Sequence, residues 1–123
     1  MADTTQIALL LADYALSLPG AHEDHPWGTR CAKVNNKIFC GLGGSHPADA
    51  YTLSLKLTDS LGHARSLSVA EVSAGWGRYG WIALHLHRGD LAPDLLLDWV
   101  EESYRAVAPK RLITELDTRP DPT

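Results

Sequence analysis

Apolar and polar positions along this chain recur with two different periods, and the changes of period mark its elements. In the first segment Ile7, Leu10, Leu11, Tyr14, Ala15 and Leu18 fall at i, i+3, i+4, i+7, i+8 and i+11, one face of a helix over residues 4–18. Asp3 with Gln6 three residues on supplies a capping-box start, and Pro19-Gly20 stops the helix. The same spacing returns near the other end in Leu96, Trp99, Val100, Ser103, Tyr104 and Val107, with Asp94, Asp98, Glu101 and Glu102 on the opposite side. Pro93 suits the first turn of this second helix, and Pro109 ends it.

Between the helices the period is two. Tyr51, Leu53, Leu55 and Leu57 alternate with Thr52, Ser54 and Lys56, and Ile82, Leu84 and Leu86 alternate with Trp81, Ala83, His85 and His87, so both runs read as half-buried strands. Two further strands flank Asn35-Asn36, a dipeptide suited to a type I′ turn because Asn tolerates positive φ. That turn predicts the pairs Val34 with Lys37, Ala32 with Phe39 and Cys31 with Cys40, which puts Arg30 and Lys37 on one face and Lys33 on the other. The two cysteines would then face each other with Cα atoms about 4.5 Å apart, and two reduced, packed thiols are the expectation. Residues 21–27 read as a polar loop and 41–50 as a Gly/Ser/Pro loop. A short helix is expected over 58–65, capped by Thr58 or Asp59, then a short strand over 67–72 and a loop over 75–80.

Two one-sided helices and several strands in sequence-adjacent hairpins make an α+β two-layer sandwich. Its antiparallel sheet is expected to be covered on one face by the N- and C-terminal helices, with the other face open to water. One domain over residues 1–113 is predicted, followed by a mobile tail over 114–123 that contains Pro120 and Pro122.

Composition adds little to that picture until charge is resolved along the chain. The 123 residues are 45% hydrophobic and 21% charged, with two cysteines, which argues against a disulfide framework or a Cys-rich zinc site. No apolar run approaches membrane-span length, so no membrane association and a cytoplasmic location are the expectations. The net charge is −4, yet residues 28–88 hold seven basic side chains against three acidic ones. One basic and one acidic surface follow from that asymmetry.

Several short runs carry a family resemblance. Leu18-Pro19-Gly20, Pro26-Trp27-Gly28, Val34-Asn35-Asn36-Lys37-Ile38-Phe39, Leu53-Ser54-Leu55-Lys56, Gly80-Trp81-Ile82 and Ser103-Tyr104-Arg105 occur in the order and spacing of the MmcQ/YjbR family, which the chain resembles over residues 5–111. The resemblance implies a CyaY-like two-layer fold with an antiparallel sheet. It also implies the family's label of DNA-binding proteins with a double-wing arrangement of hairpins.

Candidate chemistry can be set against that implication. Arg30, Lys33, Lys37, Lys56 and Arg78 are the residues to contact phosphates, with Trp27, Trp76 and Trp81 available to stack or wedge. The plain alternative is a set of solvated charges around a sheet. No recognition helix is present in the pattern, since the last helix is acidic and the first nearly uncharged, so DNA would be bound by strands or loops, weakly and salt-sensitively. The same tryptophans on an open sheet face would form a platform for a small aromatic ligand or a protein partner. Trp99 belongs to the packing stripe. His22-Glu23-Asp24-His25 and the His85/His87 pair match no spacing with a defined metal geometry, and no metal or cofactor is expected. Nucleophile elbow, phosphate loop and dinucleotide fingerprint are missing from the sequence, Asp24 with His25 is the nearest thing to an acid–base pair, and the chain reads as a non-enzyme.

Overall fold

The computed structural model describes residues 4–25, 30–42, 52–72, 79–86 and 91–119. Its elements run α1 (Thr4–Ser17), β1 (His22–Asp24), β2 (Cys31–Val34), β3 (Lys37–Gly41), β4 (Thr52–Lys56), α2 (Leu61–Arg65), β5 (Ala70–Glu71), β6 (Trp81–His85), α3 (Pro93–Val107) and α4 (Lys110–Thr118). The strands form one antiparallel sheet in the order β1-β2-β3-β4-β6-β5. Helices α1 and α3 pack on one side of it, giving the expected α+β sandwich.

The β2–β3 hairpin turns as its sequence predicts. Asn35 and Asn36 both adopt positive φ, 51° and 65°, and Val34 pairs with Lys37. The predicted register fails two residues later. Lys33 pairs with Ile38 but Ala32 pairs with Cys40, so Phe39 is an extra residue in β3. This β-bulge sends two consecutive side chains, Phe39 and Cys40, into the core, both at 0% exposure, where strict alternation would bury one. The large apolar Phe39 is the physical reason: its ring packs edge-on to Tyr104 of α3 with centroids 5.4 Å apart. The bulge also moves Cys31 opposite Gly41, so the two thiols do not face each other. Both are free and buried, and burial pushes both thiols above their ordinary ionisation range.

Helix α3 carries the stripe read from its spacing, with Leu96, Trp99, Val100, Ser103 and Tyr104 all buried. Tyr104 keeps its ring in the core and donates its hydroxyl to the Pro19 carbonyl at the rim, 2.7 Å away. Ser103 does something the spacing alone does not reveal. Strands β3 and β4 pair at Cys40–Leu55 and Gly41–Ser54, and the ladder stops there. At the next position Ser103 inserts its hydroxyl, donating to the Phe39 carbonyl and accepting from the Lys56 amide at 2.8 Å. A side chain of a helix thus takes the place of one rung of the sheet.

Helix α1 is rotated from its expected face. Its buried residues are Ala8, Leu11, Ala12 and Ala15, followed by Leu18, whereas Leu10 is 43% exposed and Leu9 57%. The helix is apolar nearly all round, so large residues do not mark the packed side; small alanines do, by letting the helix approach the layer beneath. Tyr14, half-buried, donates to Glu101 of α3 at 2.9 Å, and burial together with that carboxylate pushes its phenol up to about 12.

Three other expectations are corrected. The loop over 21–27 contains β1, whose residues pair His22–Lys33, Glu23–Ala32 and Asp24–Cys31. A strand of charged residues at a sheet edge has no apolar period to reveal it. The short helix over 58–65 begins at Leu61, and no local side chain caps it. Instead Glu102, far away in α3, accepts hydrogen bonds from the Thr58 amide, the Ser60 amide and the Ser60 hydroxyl at 2.9, 3.0 and 2.7 Å. Finally, the segment from Thr114 expected to be a tail is helical to Thr118, with Leu112 and Leu116 buried in the core. Arg105 ties α4 to α3, reaching Glu101 at 3.1 Å and Asp117 at 2.6 Å.

Ser103→Ala leaves the buried Phe39 carbonyl and the Lys56 amide without their partner and is expected to cost about 1–3 kcal/mol, seen as a lower urea midpoint at unchanged slope. An unchanged midpoint would mean that the two strands close up without the hydroxyl. Glu102 yields a pH-dependent expectation. Burial alone would raise its carboxyl, but the Ser60 hydroxyl and the two amides outweigh that and hold it below its ordinary value of 4.5. Its contribution is therefore complete above pH 4.5 and is lost as the pH falls through the lowered folded-state value. Glu102→Gln is expected to be less stable than the parent at pH 7, with the gap closing on acidification; a pH-independent gap in urea midpoints refutes this.

Candidate functional site

The sheet face turned away from α1 and α3 is built by the alternate residues of β4 and β6. Cross-strand pairing aligns Lys56 with Trp81, Ser54 with Ala83 and Thr52 with His85, and all six side chains are half-buried. The other alternating set, Leu53, Leu55, Ile82 and Leu84, fills the core beneath.

A groove of about 610 Å³ crosses this face. Lys37 and Ile38 of β3 line one side, Ser54 and Lys56 of β4 lie in the middle, and Trp81, Ile82 and Ala83 of β6 line the other side. Ala106 and Val107, from the last turn of α3, also line it. Helix residues reach a groove on the open face because β3 and β4 part after Cys40–Leu55. Ser103 occupies the start of the gap, and the helix continues along it. Gly80 sets the position of Trp81. Its φ is +91°, and a Cβ there would stand 2.6 Å from the Leu57 carbonyl oxygen, so only glycine lets β6 start against the end of β4. The Leu57 amide donates to the Gly80 carbonyl at 2.9 Å, which completes the junction.

The five basic residues singled out by sequence do not form one surface. Arg30 is held by Glu23 through two hydrogen bonds of 3.0 and 2.8 Å, and Lys33 by Asp24 at 2.6 Å. Both carboxylates come from β1, and the Lys33 ammonium holds the Asp24 carboxyl below its ordinary value. Lys37 lines the groove with Lys56. Among the described residues neither Lys37 nor Lys56 has an ion-pair partner. Arg78 lies outside the described residues, as do Trp27 and Trp76, so of the three candidate stacking residues Trp81 alone is placed. Trp99 is in the core, edge-on to the His63 ring at 5.4 Å.

The histidines are engaged by neighbours. His85 lies 3.1 Å through Nδ1 from the Thr52 hydroxyl and 2.7 Å through Nε2 from Glu71; His87 lies outside the described residues. The His25 ring pairs with Glu23 at 2.9 Å, while Asp24 accepts the His25 backbone amide, so the expected Asp24–His25 side-chain pair does not form. Among the described residues no three His, Cys, Asp or Glu side chains are grouped to hold a metal ion. Nor, among them, is any helix long and apolar enough to cross a membrane.

Sequence reasoning missed Ile38, Ser54, Ile82, Ala83, Ala106 and Val107 as groove residues. Ser54 and Ala83 were within reach, since each shares its strand's outward period with a residue already singled out. Ala106 and Val107 were not, because nothing local announces the parting of β3 from β4.

No curated protein matches the chain. The YjbR family model matches residues 16–106, which span the sheet, the Ser103 bridge and every residue of the groove except Val107. The match covers well over half of the 123 residues, and the chain belongs to the YjbR family.

Proposed function

We propose that this YjbR-family chain is a binding module for a small, flat aromatic ligand, held in the groove on the open sheet face against Trp81. The observation that carries this reading is the convergence of an indole, two lysines and an apolar floor on one concavity of about 610 Å³, a size that suits a small molecule. Trp81 offers the platform, Ile38, Ala83 and Val107 the apolar surroundings, and Ser54 a hydroxyl for orientation.

The geometry favours this reading over binding of duplex DNA. Arg30 and Lys33, half of the described basic candidates, are already neutralised by carboxylates on the adjacent strand, so they release few counterions on meeting a phosphate backbone. We read the chain as binding without catalysing. Both cysteines are buried with their thiols pushed up, and both ring nitrogens of His85 lie within hydrogen-bond reach of protein side chains.

The test is a titration with 2-naphthamide, a neutral two-ring probe, read from the Trp81 indole N–H resonance and assigned with Trp81→Phe. Trp81→Ala is expected to weaken binding by about 1–3 kcal/mol, as for other aromatic stacking platforms. Ala83→Phe, which fills the groove, is expected to block it. Duplex DNA titrated at two salt concentrations provides the opposing arm. Salt-sensitive DNA binding unaffected by Trp81→Ala, with no response to the aromatic probe, overturns the proposal.

A further inference from the structure

Charge is distributed unevenly around the groove. Among the described residues its lining contains two cations, Lys37 and Lys56, and no carboxylate. Arg30, Lys33 and Arg105, by contrast, are each satisfied by acidic neighbours. Lys37 and Lys56 stand on the two strands that part, at the same end of the groove, where Lys56 is also cross-strand partner to Trp81. An ammonium is a compact point charge with three donors; where no protein carboxylate meets it, it suits the anionic group of a ligand.

On the other side of β6 the sign reverses. Glu71 of β5 pairs with Ala83, and its carboxylate turns along the sheet to His85 at 2.7 Å. Strand spacing and rise place the backbones of Lys56 and Glu71 about 12 Å apart, across β6 and two residues along it. The groove floor between them is apolar, formed by Ala83 and the Trp81 ring. A ligand lying along this diagonal meets positive charge at one end and negative charge at the other.

Resting on the reading of the groove as a ligand site, we propose that its ligand is an aromatic anion charged at one end. A carboxylate or phosphate group sits between Lys37 and Lys56, the ring lies on Trp81, and the far end, toward Glu71, is uncharged. Carboxylate and phosphate share the chemistry that two ammonium groups recognise, without the planar fork an arginine would add.

Four probes read from the Trp81 indole resonance test the assignment: 2-naphthoate, 2-naphthyl phosphate, their neutral relative 2-naphthamide, and naphthalene-2,6-dicarboxylate. At least one of the two singly substituted anions is expected to bind roughly tenfold more tightly than the amide. The tighter of the two identifies the headgroup. Lys37→Met and Lys56→Met are expected to remove most of that preference, bringing the ratio of anion to amide affinity toward one, with Lys56→Gln as a second replacement should the methionine disturb folding. The dicarboxylate is expected to bind more weakly than naphthoate despite its added charge, and Glu71→Gln to narrow that difference. Equal binding of naphthoate, naphthyl phosphate and naphthamide overturns this inference and leaves the groove as an aromatic site. So does an anion preference that survives both lysine replacements. Absence of Trp81-dependent binding by every probe overturns the inference and the proposed function together.

Discussion

A single serine hydroxyl holds the sheet and the main helix in register. Ser103 donates to Phe39 on β3 and accepts from Lys56 on β4, at the position where these neighbouring strands would otherwise bond to each other. Buried backbone groups must be paired, so the strands can part only if something else satisfies them. Three features follow from this substitution. The Phe39 bulge has room to turn its ring under Tyr104. Helix α3 lies close against the sheet, with Ser103 small enough to sit between strands. The parting itself, lined further along by Ala106 and Val107, becomes part of a groove on the opposite face.

Electrostatics then determine what that groove presents. The edge strand β1 consists of His22, Glu23 and Asp24, and its carboxylates neutralise Arg30 and Lys33 on and beside β2. Two carboxylates on the acidic side of α3 are likewise engaged within the protein, Glu101 by Tyr14 and Arg105, Glu102 by the turn at Thr58 and Ser60. Internal pairing therefore cancels part of the basic-middle, acidic-ends asymmetry of the chain. Lys37 and Lys56, beside an indole, have no ion-pair partner among the described residues.

Much of the fold was legible because burial imposes a period. The α3 stripe from Leu96 to Tyr104, the alternation Leu53–Leu55 in β4 and Ile82–Leu84 in β6, and the Asn35-Asn36 turn all stand where their patterns put them. Failures occurred where the pattern carried no information about a distant partner. Strand β1 is polar throughout; α1 is apolar on nearly every side; Glu102 caps a turn more than forty residues away in sequence. Of the candidate site, Trp81, Lys56 and Lys37 were named from sequence and converge, whereas Arg30 and Lys33 were named and do not. Residue type marked the four cations as equals, and only spatial neighbours separated them.

By itself the sequence determined the two helical stripes, the alternating strands, the type I′ turn and the family, because each depends on residues within a few positions of one another or on their order along the chain. The tertiary structure decided the bulge at Phe39, the place of Ser103 in the sheet, the pairing of Arg30 and Lys33, and the groove that Lys37, Lys56 and Trp81 share. Each of these rests on a contact between segments far apart in the chain. The energy of such a contact depends on which donor, carboxylate or ring the fold brings opposite, and no local period of apolar and polar residues encodes that.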